Sequence, residues 1–488
     1  MTPVGYFFVP MVFLCFFTKA ERLLSLLVLA SVFEASSVFN SSIGSFELGV
    51  PPFFVVEAFI ALQLIGIFLQ TGKILPPADD PRRKPVSALL WFWAWACASA
   101  FILPHLFSGM PVYEPRGGID EQYEALTPLR WSFSNLAQVL YLTLNVCTLI
   151  YAVHVIKTRE QINSLVKTMA IAVGIVVTAG ALQRIAAFGG WEFPYELLNN
   201  NPGYSQGFDQ SVGDMHRISS TFTEASFAGS FLGAIALGLV AAFLRGRRTL
   251  PWLLASALTF LVLLDTTATN GYVAFALGLC LLFFYFNPFR GAKRVRRFLA
   301  KGWLVLVLPL LAIAAMVVLL LPDFAASALT VTSQKSDTLS FLHRLNADLT
   351  ALDIFIHTWG VGVGLGSNRP SSMLMSFLST VGLGGTILFL FFLLRVIRSF
   401  PGKSANGTFQ WTFWSLVTLL IAQVVAVPDI NRPVLWMLLV LVVVQLSVPS
   451  PHWPVSRLDV VNRKLSPRGP QAPLPASASL HAKVNSAG

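Results

Sequence analysis

Charged residues are scarce in this sequence. Only 12% of the 488 residues are Asp, Glu, Lys or Arg, while 55% are hydrophobic. A soluble domain carries about 25% charged residues. The deficit excludes an ordinary water-soluble protein, because such a protein needs a charged surface to stay dissolved.

Cysteine is scarce as well. The four cysteines all lie within apolar runs; they are Cys15, Cys97, Cys147 and Cys280. This placement argues against the disulfide framework that is typical of small secreted domains. We interpret these cysteines as small buried hydrophobic residues.

Two further features are missing. No basic residue precedes the first apolar run, MTPVGYFFVPMVFLCFF, so we predict a first membrane span there rather than a cleaved signal peptide. No inverted internal repeat, of the kind found in many secondary transporters, is visible along the chain.

Apolar runs close to the ~20 residues that cross a bilayer are abundant. They are centred on about 4–17, 23–39, 53–71, 86–107, 131–156, 165–187, 221–244, 250–265, 272–287, 303–321, 373–395, 411–427 and 434–448. The pattern predicts an all-α, polytopic transmembrane helical bundle of about twelve or thirteen spans, with twelve if the short first run does not cross.

The distribution of basic residues predicts the orientation. Of the 34 Lys and Arg residues, 26 fall on one side of this topology, which the positive-inside rule makes the cytoplasmic side. The formal charge of +11 is explained in this way, and no nucleic-acid partner is expected. The membrane domain is predicted over 1–448, with periplasmic loops at 108–130, 188–220 and 322–372. The Pro- and Ser-rich tail, 449–488, is predicted to be a disordered cytoplasmic segment.

The arginines on the outer side are the informative ones, because topology does not favour them there. Arg217 lies seven residues before Glu224, at the start of a span. Arg344 and Asp348 have the spacing that places two side chains on one helix face as an ion pair. Several arginines at a membrane surface suit a diphosphate, which the guanidinium fork binds bidentately. Glu224 or Asp348 is the candidate for removing a proton from an attacking hydroxyl.

The residue before Arg344 and the segment after it add further candidates for binding. Arg369 precedes Ser371 and Ser372 at the start of a predicted helix, which these serines can cap, so the helix end adds to an anion site. His343 is a candidate substrate-binding residue or a surface histidine. The run GVGVGLG at 360–366 resembles a nucleotide loop, but it follows no strand, and a tight turn is the interpretation that we prefer.

The pattern leaves the roles of three other residues open. His357 is a surface histidine or a catalytic one. Asp265 either caps a helical hairpin or belongs to a site. Glu57, inside a predicted span, is expected to pair within the bundle, and its role stays open.

Three stretches resemble the O-antigen ligase and polymerase superfamily, whose members handle polyprenyl-diphosphate-linked glycans. They are RISSTFTEASFAGSFL (217–232), DTTATNGYVAFALGL (265–279) and HRLNADLTALDIFIHTWGVGVGLGSNRPSSMLMSFLSTVGLGG (343–385). The resemblance implies an integral-membrane glycosyltransferase-like helical fold. It also implies that Arg217 and Arg344 bind the diphosphate of the lipid carrier.

The chain departs from this family pattern at two places. Ligase members commonly carry His-Asn after the glycine run, where this chain has Ser367 and Asn368, and Ala225 stands where proline is usual. Both departures favour a polymerase over a ligase, with Glu224 as the base.

The expected function is therefore a polymerase that joins polyprenyl-diphosphate-linked oligosaccharide repeat units at the outer face of a bacterial inner membrane. The catalytic residues would be Glu224, Arg344 and Asp348; the substrate-binding residues would be Arg217, Arg344, Arg369, Ser371 and His343. No metal and no cofactor are expected. Partners would be the lipid-linked glycan, membrane lipid and a chain-length regulator or export complex. A glycan ligase and a flippase or transporter of lipid-linked sugars are the alternatives.

Overall fold

A computed structural model of the protein describes residues 1–43, 46–113, 126–204, 206–207, 210–212, 215–245, 249–286 and 339–447. The predicted span at 303–321 lies outside these residues. So do the predicted tail at 449–488 and most of the acidic part of the predicted loop at 108–130.

The apolar runs form helices. In chain order these are α1 (Pro3–Phe16), α2 (Ala20–Ala30), α3 (Pro52–Thr71), α4 (Arg83–Leu106), α5 (Phe133–Val155), α6 (Arg159–Gly189), α7 (Tyr195–Leu198), α8 (Ala225–Arg245), α9 (Thr249–Asp265), α10 (Thr269–Phe286), α11 (Leu339–His357), α12 (Met373–Thr380), α13 (Gly382–Ser399), α14 (Gly407–Ala426) and α15 (Pro433–Gln445). The all-α polytopic architecture predicted from the sequence is confirmed.

Eight helices among the described residues are long and apolar enough to cross a membrane: α3, α4, α5, α6, α8, α10, α13 and α14. The helices α1, α9 and α15 are apolar but shorter. In the part of the chain that the structure describes, the strands form three antiparallel pairs: β1 (Phe39–Ile43) with β2 (Phe46–Val50), β3 (Pro111–Val112) with β4 (Thr127–Pro128), and β5 (Ser211–Val212) with β6 (Met215–His216).

The predicted span at 23–39 differs from the structure, because α2 ends at Ala30. The chain after it is held by contacts with distant segments: the N–H of Ala35 donates to Thr221 O at 3.2 Å, and Ser36 Oγ donates to Leu198 O at 2.6 Å. Serine side chains that bond to backbone groups compete with helical hydrogen bonding. Glu34 consequently lies outside any helix, beside the site described below.

The predicted span at 373–395 is divided into α12 and α13 by a break at Gly382. This residue has a φ of +66°, a conformation that side chains with a Cβ adopt at a cost. A Cβ on Gly382 would lie 2.1 Å from Val361 O. The break leaves room for the tight turn at the glycine run, 360–366. The N–H of Leu383 donates to Gly360 O of this turn at 2.8 Å.

Replacing Gly382 with alanine should therefore destabilise the protein. The left-handed backbone and the clash with Val361 O together are expected to cost about 1–3 kcal/mol. Gly66→Ala is the matched control, because Gly66 lies within α3 and an added Cβ there meets nothing within 4 Å. Thermal melting of the purified protein should show a lower melting temperature for the first variant alone. An equal effect of both substitutions would contradict this interpretation of the break.

The helix α8 lies at the centre of the bundle, since 89% of its most apolar 18-residue stretch is buried. It packs against α9, α10 and α14. Small residues permit this packing: a Cβ on Gly233 would lie 2.7 Å from Gly271 O. Close packing of small residues is a common basis of helix association in membranes. The N-terminal end of this central helix carries Glu224, so the core of the fold fixes the position of that carboxylate.

Candidate active site at one end of the bundle

The Arg217 guanidinium is held in place on two of its three nitrogens. Nε donates to Thr267 Oγ1 at 3.0 Å and to Thr266 O at 3.3 Å, and Nη1 donates to Gln210 Oε1 at 2.8 Å. Among the described residues, no hydrogen bond engages Nη2. Burial lowers the pKa of Arg217, and the nearby Glu224 carboxylate opposes this effect. The side chain is thus fixed, partly desolvated and able to donate to a ligand.

A half-buried ion pair fixes the strand pair that precedes Arg217. The Arg184 guanidinium lies 2.6 Å from Asp265 Oδ1, and its Nη2 donates to His216 O at 3.0 Å. Asp265 is therefore the partner of an arginine, which differs from the hairpin cap considered from the sequence. The pair connects the end of α9 to the segment that carries Arg217.

Glu224 occupies the N-terminal end of α8. Its carbonyl oxygen accepts from the N–H groups of Phe227 at 3.1 Å and Ala228 at 3.2 Å, and its carboxylate accepts a short hydrogen bond from the Ser226 hydroxyl. The carboxylate is half-buried and close enough to Arg217 to act on its charge.

Arg344 brings a second guanidinium to the same place. It is exposed on α11, and its positive charge contributes to the lowered pKa of Arg217. Two guanidinium groups and the single Glu224 carboxylate leave a net positive charge. An anion between the two arginines would relieve their mutual repulsion, so the arrangement is suited to binding one.

Asp348 does not form the expected ion pair with Arg344 among the described residues. Its Oδ1 accepts from the N–H of Ser371 at 2.8 Å instead. The acid thus anchors the segment that follows the glycine turn, and the i,i+4 spacing on α11 is not used for an ion pair. This result makes Asp348 a positioning residue for Ser371 in the structure.

Arg369 and the serines lie at the start of α12. The N–H of Arg369 donates to Tyr113 O at 2.9 Å, and its Nη2 lies 3.9 Å from Asp429 Oδ2. Ser372 caps α12 by accepting from the N–H of Met375 at 3.5 Å, as predicted for a serine at this position. Both Arg369 and Asp429 are partly exposed, so a ligand can reach the pair.

The glycine run at 360–366 forms a tight turn with positive φ at its glycines. Gly364 has a φ of +101°, and a Cβ there would lie 2.7 Å from Ser99 O. The turn therefore packs directly on the end of α4. His343, next to Arg344 on α11, is half-buried. His357 is exposed and pairs with Asp353 on its own helix, at 3.1 Å.

Sequence reasoning missed a buried ion pair beside Glu224. The Arg432 guanidinium donates to the Glu34 carboxylate, with 8% and 10% of the side chains exposed, and it stacks on Phe227 with its Cζ 3.5 Å from the ring centroid. Burial raises the pKa of Glu34, although the neighbouring Arg432 opposes this shift. The two residues are 398 positions apart, which no local pattern reveals.

These groups are continuous with one another. Glu34 interacts electrostatically with both Glu224 and Asp429, and Asp429 pairs with Arg369. We call the whole set the charged band; it consists of Arg344, Arg217, Glu224, Glu34, Arg432, Asp429 and Arg369. The band contains four cations and three anions, with the two neighbouring arginines Arg344 and Arg217 at one end. The band therefore has a cationic end, at Arg217 and Arg344, and a balanced end, at Asp429 and Arg369.

The described residues contain no group of three or more His, Cys, Asp and Glu side chains arranged to hold a metal ion. The charges offered to a ligand in the charged band come from guanidinium and carboxylate groups.

Comparisons with known proteins add no relative. No family model matches the chain, and no curated protein matches it either.

Proposed function

We propose that this protein is a polymerase that joins polyprenyl-diphosphate-linked oligosaccharide repeat units, in the synthesis of an exopolysaccharide, capsule or O-antigen. The observation that supports it best is the meeting of Arg217, Arg344 and Glu224 at one end of a membrane helical bundle. Guanidinium groups beside a carboxylate fit a reaction in which a diphosphate leaves while a hydroxyl loses its proton.

The reaction follows from these groups. A sugar hydroxyl oxygen of one lipid-linked unit attacks the anomeric carbon of the growing chain and forms the new glycosidic bond. The bond between that carbon and the diphosphate oxygen breaks, so the lipid diphosphate leaves with the bonding electron pair. The hydroxyl proton passes to the Glu224 carboxylate. The lipid diphosphate already activates the sugar, so no nucleotide is consumed.

Arg217 and Arg344 would bind the leaving diphosphate. The Nη2 atom of Arg217 is available to an oxygen atom of the ligand, while its other nitrogens are held by Thr267 and Gln210. A guanidinium fixed in advance stabilises developing charge without reorganising, which makes it more effective than a mobile one. Arg344, exposed on α11, would meet the second phosphate.

The other predicted residues fall near the balanced end of the charged band or beside Arg344. Arg369 is proposed to contact the glycan together with Asp429, and Ser371 is held in place by Asp348. His343 is proposed to line the glycan path next to Arg344. Asp348 retains a role in catalysis only through the position that it gives to this segment.

The proposed location is the bacterial inner membrane, with the charged band facing the periplasm. The excess of basic residues in the loops on the opposite side of the predicted topology supports this orientation. Lipid-linked units, membrane lipid and a chain-length regulator or export complex are the proposed partners.

Glycan analysis of a strain that lacks the gene tests the proposed function. Single repeat units that remain on the lipid carrier are the expected result. Finished polymer that is not attached to its acceptor would indicate a ligase instead. Lipid-linked units retained on the cytoplasmic leaflet would indicate a flippase, and either of these results would overturn the proposal.

Arg369→Lys tests whether the guanidinium fork matters at the balanced end of the band. Lysine keeps the charge but loses the planar pair of donors, so activity is expected to fall about 10- to 100-fold. Arg398→Lys, at an exposed arginine near the end of α13, is the control and should leave polymer synthesis unchanged. Polymer yield per molecule of inserted protein is the measurement. Full activity of the Arg369 variant would show that a point charge is sufficient there.

A further inference from the structure

The Glu57 carboxyl group is buried in the interior of the bundle, away from the charged band. The side chain lies on α3 with 0% of its surface exposed, and neither carboxyl oxygen has a hydrogen-bond partner among the described residues. An ionised carboxylate cannot persist there without a neutralising charge. None of the roles proposed above for the charged band involves this residue.

The helix α5 faces α3 with polar groups at the level of Glu57. Phe54 stacks on Tyr141 with ring centroids 4.1 Å apart, and the Tyr151 hydroxyl donates to Gln63 Oε1 further along the same two helices. These contacts fix the register, and they show that the two helices run in the same direction. Glu57 follows Phe54 by about one turn, so its level on α5 falls between Tyr141 and Tyr151.

Asn145 and Thr148 occupy that part of α5. They follow Tyr141 by four and seven residues, which places all three on one helix face. Both side chains are fully buried, at 0% exposed. The Thr148 hydroxyl lies beside the Glu57 carboxyl group, but no hydrogen bond of normal geometry joins them, and Asn145 Oδ1 is also unpaired among the described residues.

The unpaired buried polar atoms of Glu57, Asn145 and Thr148 are all oxygens. Glu57 contributes two, and Asn145 and Thr148 contribute one each. Asn145 Nδ2 donates to Tyr141 O at 2.9 Å and to Asn431 Oδ1 at 3.3 Å. The Asn145 Oδ1 atom is therefore the part of this amide that can bind a ligand. Carboxylate, amide and hydroxyl oxygens are ligands of hard cations. One carboxylate balances one positive charge.

A file of uncharged polar groups connects this position with the end of the bundle that carries the charged band. Asn145 bonds to Asn431, and Asn431 Nδ2 donates to Gln138 Oε1 at 2.7 Å. Asn431 is the neighbour of Arg432 in the chain, and Gln138 is half-buried. These amide groups form a polar connection between the end of the bundle and the level of Glu57.

We propose that Glu57, Thr148 and Asn145 form a binding site for one monovalent cation, supplied either as sodium or as a proton. The site goes beyond the proposed polymerase activity and does not depend on it. The helices that pack against α3 are α1, α2 and α5. The titratable and charged side chains of these helices that are at least partly buried are Cys15, Glu21, Tyr141, Cys147, Tyr151 and His154. Among these, Cys147 interacts electrostatically with Glu57.

Thermal melting of the full-length protein in lipid nanodiscs tests the site. In one arm, choline chloride is replaced stepwise by sodium chloride at constant ionic strength and fixed pH. In the other arm, the pH is lowered in choline chloride alone. A cation that binds the folded protein preferentially raises its melting temperature, and we expect a rise of about 2 °C or more in at least one arm.

Glu57→Gln keeps the shape of the side chain and removes its charge, so this variant should lose the response. Thr148→Val removes one oxygen ligand and should move the midpoint of a sodium response several-fold, to higher sodium. Glu160→Gln, at an exposed acid, is the control and should respond like the wild type.

The two arms identify the cation. A response to sodium that Glu57→Gln abolishes assigns sodium, and a response to pH alone that the same variant abolishes assigns a proton. Equal responses of the wild type and Glu57→Gln in both arms would overturn the proposal, because Glu57 would then be a permanently neutral residue of the core. Binding of radioactive sodium to both proteins checks the first result independently of stability.

Discussion

Arg344→Ala is expected to reduce polymer synthesis by about 100-fold or more, while the protein still inserts and folds. Removal of one donor that stabilises developing charge typically has an effect of this size. Arg344 is exposed on α11, so its removal leaves no cavity and should not change the melting temperature. Polymer length and yield, measured per molecule of inserted protein, are the observables.

Arg398→Ala provides the matched control, because that arginine is also exposed, lies near the C-terminal end of α13 and is not part of the charged band. It should synthesise polymer normally. Normal polymer in the Arg344 variant would exclude this residue from the site. A loss of activity in both variants would indicate a general sensitivity to the loss of surface charge.

Glu224→Gln is the second substitution with a large expected effect. Glutamine can still accept the hydrogen bond from Ser226 and can still occupy the start of α8, but it cannot take a proton at neutral pH. General-base catalysis typically contributes about 10²–10⁴-fold, so the turnover number should fall by a factor in this range. The affinity for the lipid-linked donor should change little, because the arginines remain.

The measurement for Glu224→Gln separates turnover from binding. The turnover number is obtained at saturating donor, and donor affinity is obtained by equilibrium binding to the purified protein. Glu196→Gln, at an exposed acid on α7, should behave as the wild type does. A fall in donor affinity with unchanged turnover would show that Glu224 binds substrate and is not the base.

The sequence was sufficient for the parts of the fold that depend on local patterns. Apolar length predicted the helices, and the scarcity of charge made the outer arginines stand out. Arg217 and Glu224 lie seven residues apart, at the junction of a polar segment with an apolar run, so their proximity was accessible to inspection. The glycine turn was also interpreted correctly, as geometry that allows close packing.

The sequence was insufficient where the structure depends on distant contacts. Glu34 was placed inside a predicted span because its neighbours are apolar, yet α2 ends at Ala30 and the acid pairs with Arg432 from the other end of the chain. Asp348 illustrates the opposite error. A favourable helical spacing predicted an ion pair with Arg344, but a backbone N–H donor from Ser371 satisfies the acid.

The most direct test of the proposed polymerase activity uses the purified protein in liposomes, with a polyprenyl-diphosphate-linked oligosaccharide as the only substrate. A ladder of longer lipid-linked glycans is expected, with one free polyprenyl diphosphate released for each bond formed. Arg344→Ala is expected to reduce both products by about 100-fold or more. Unextended oligosaccharide in the presence of correctly folded wild-type protein would contradict the central claim, which is that the charged band alone catalyses the joining of repeat units.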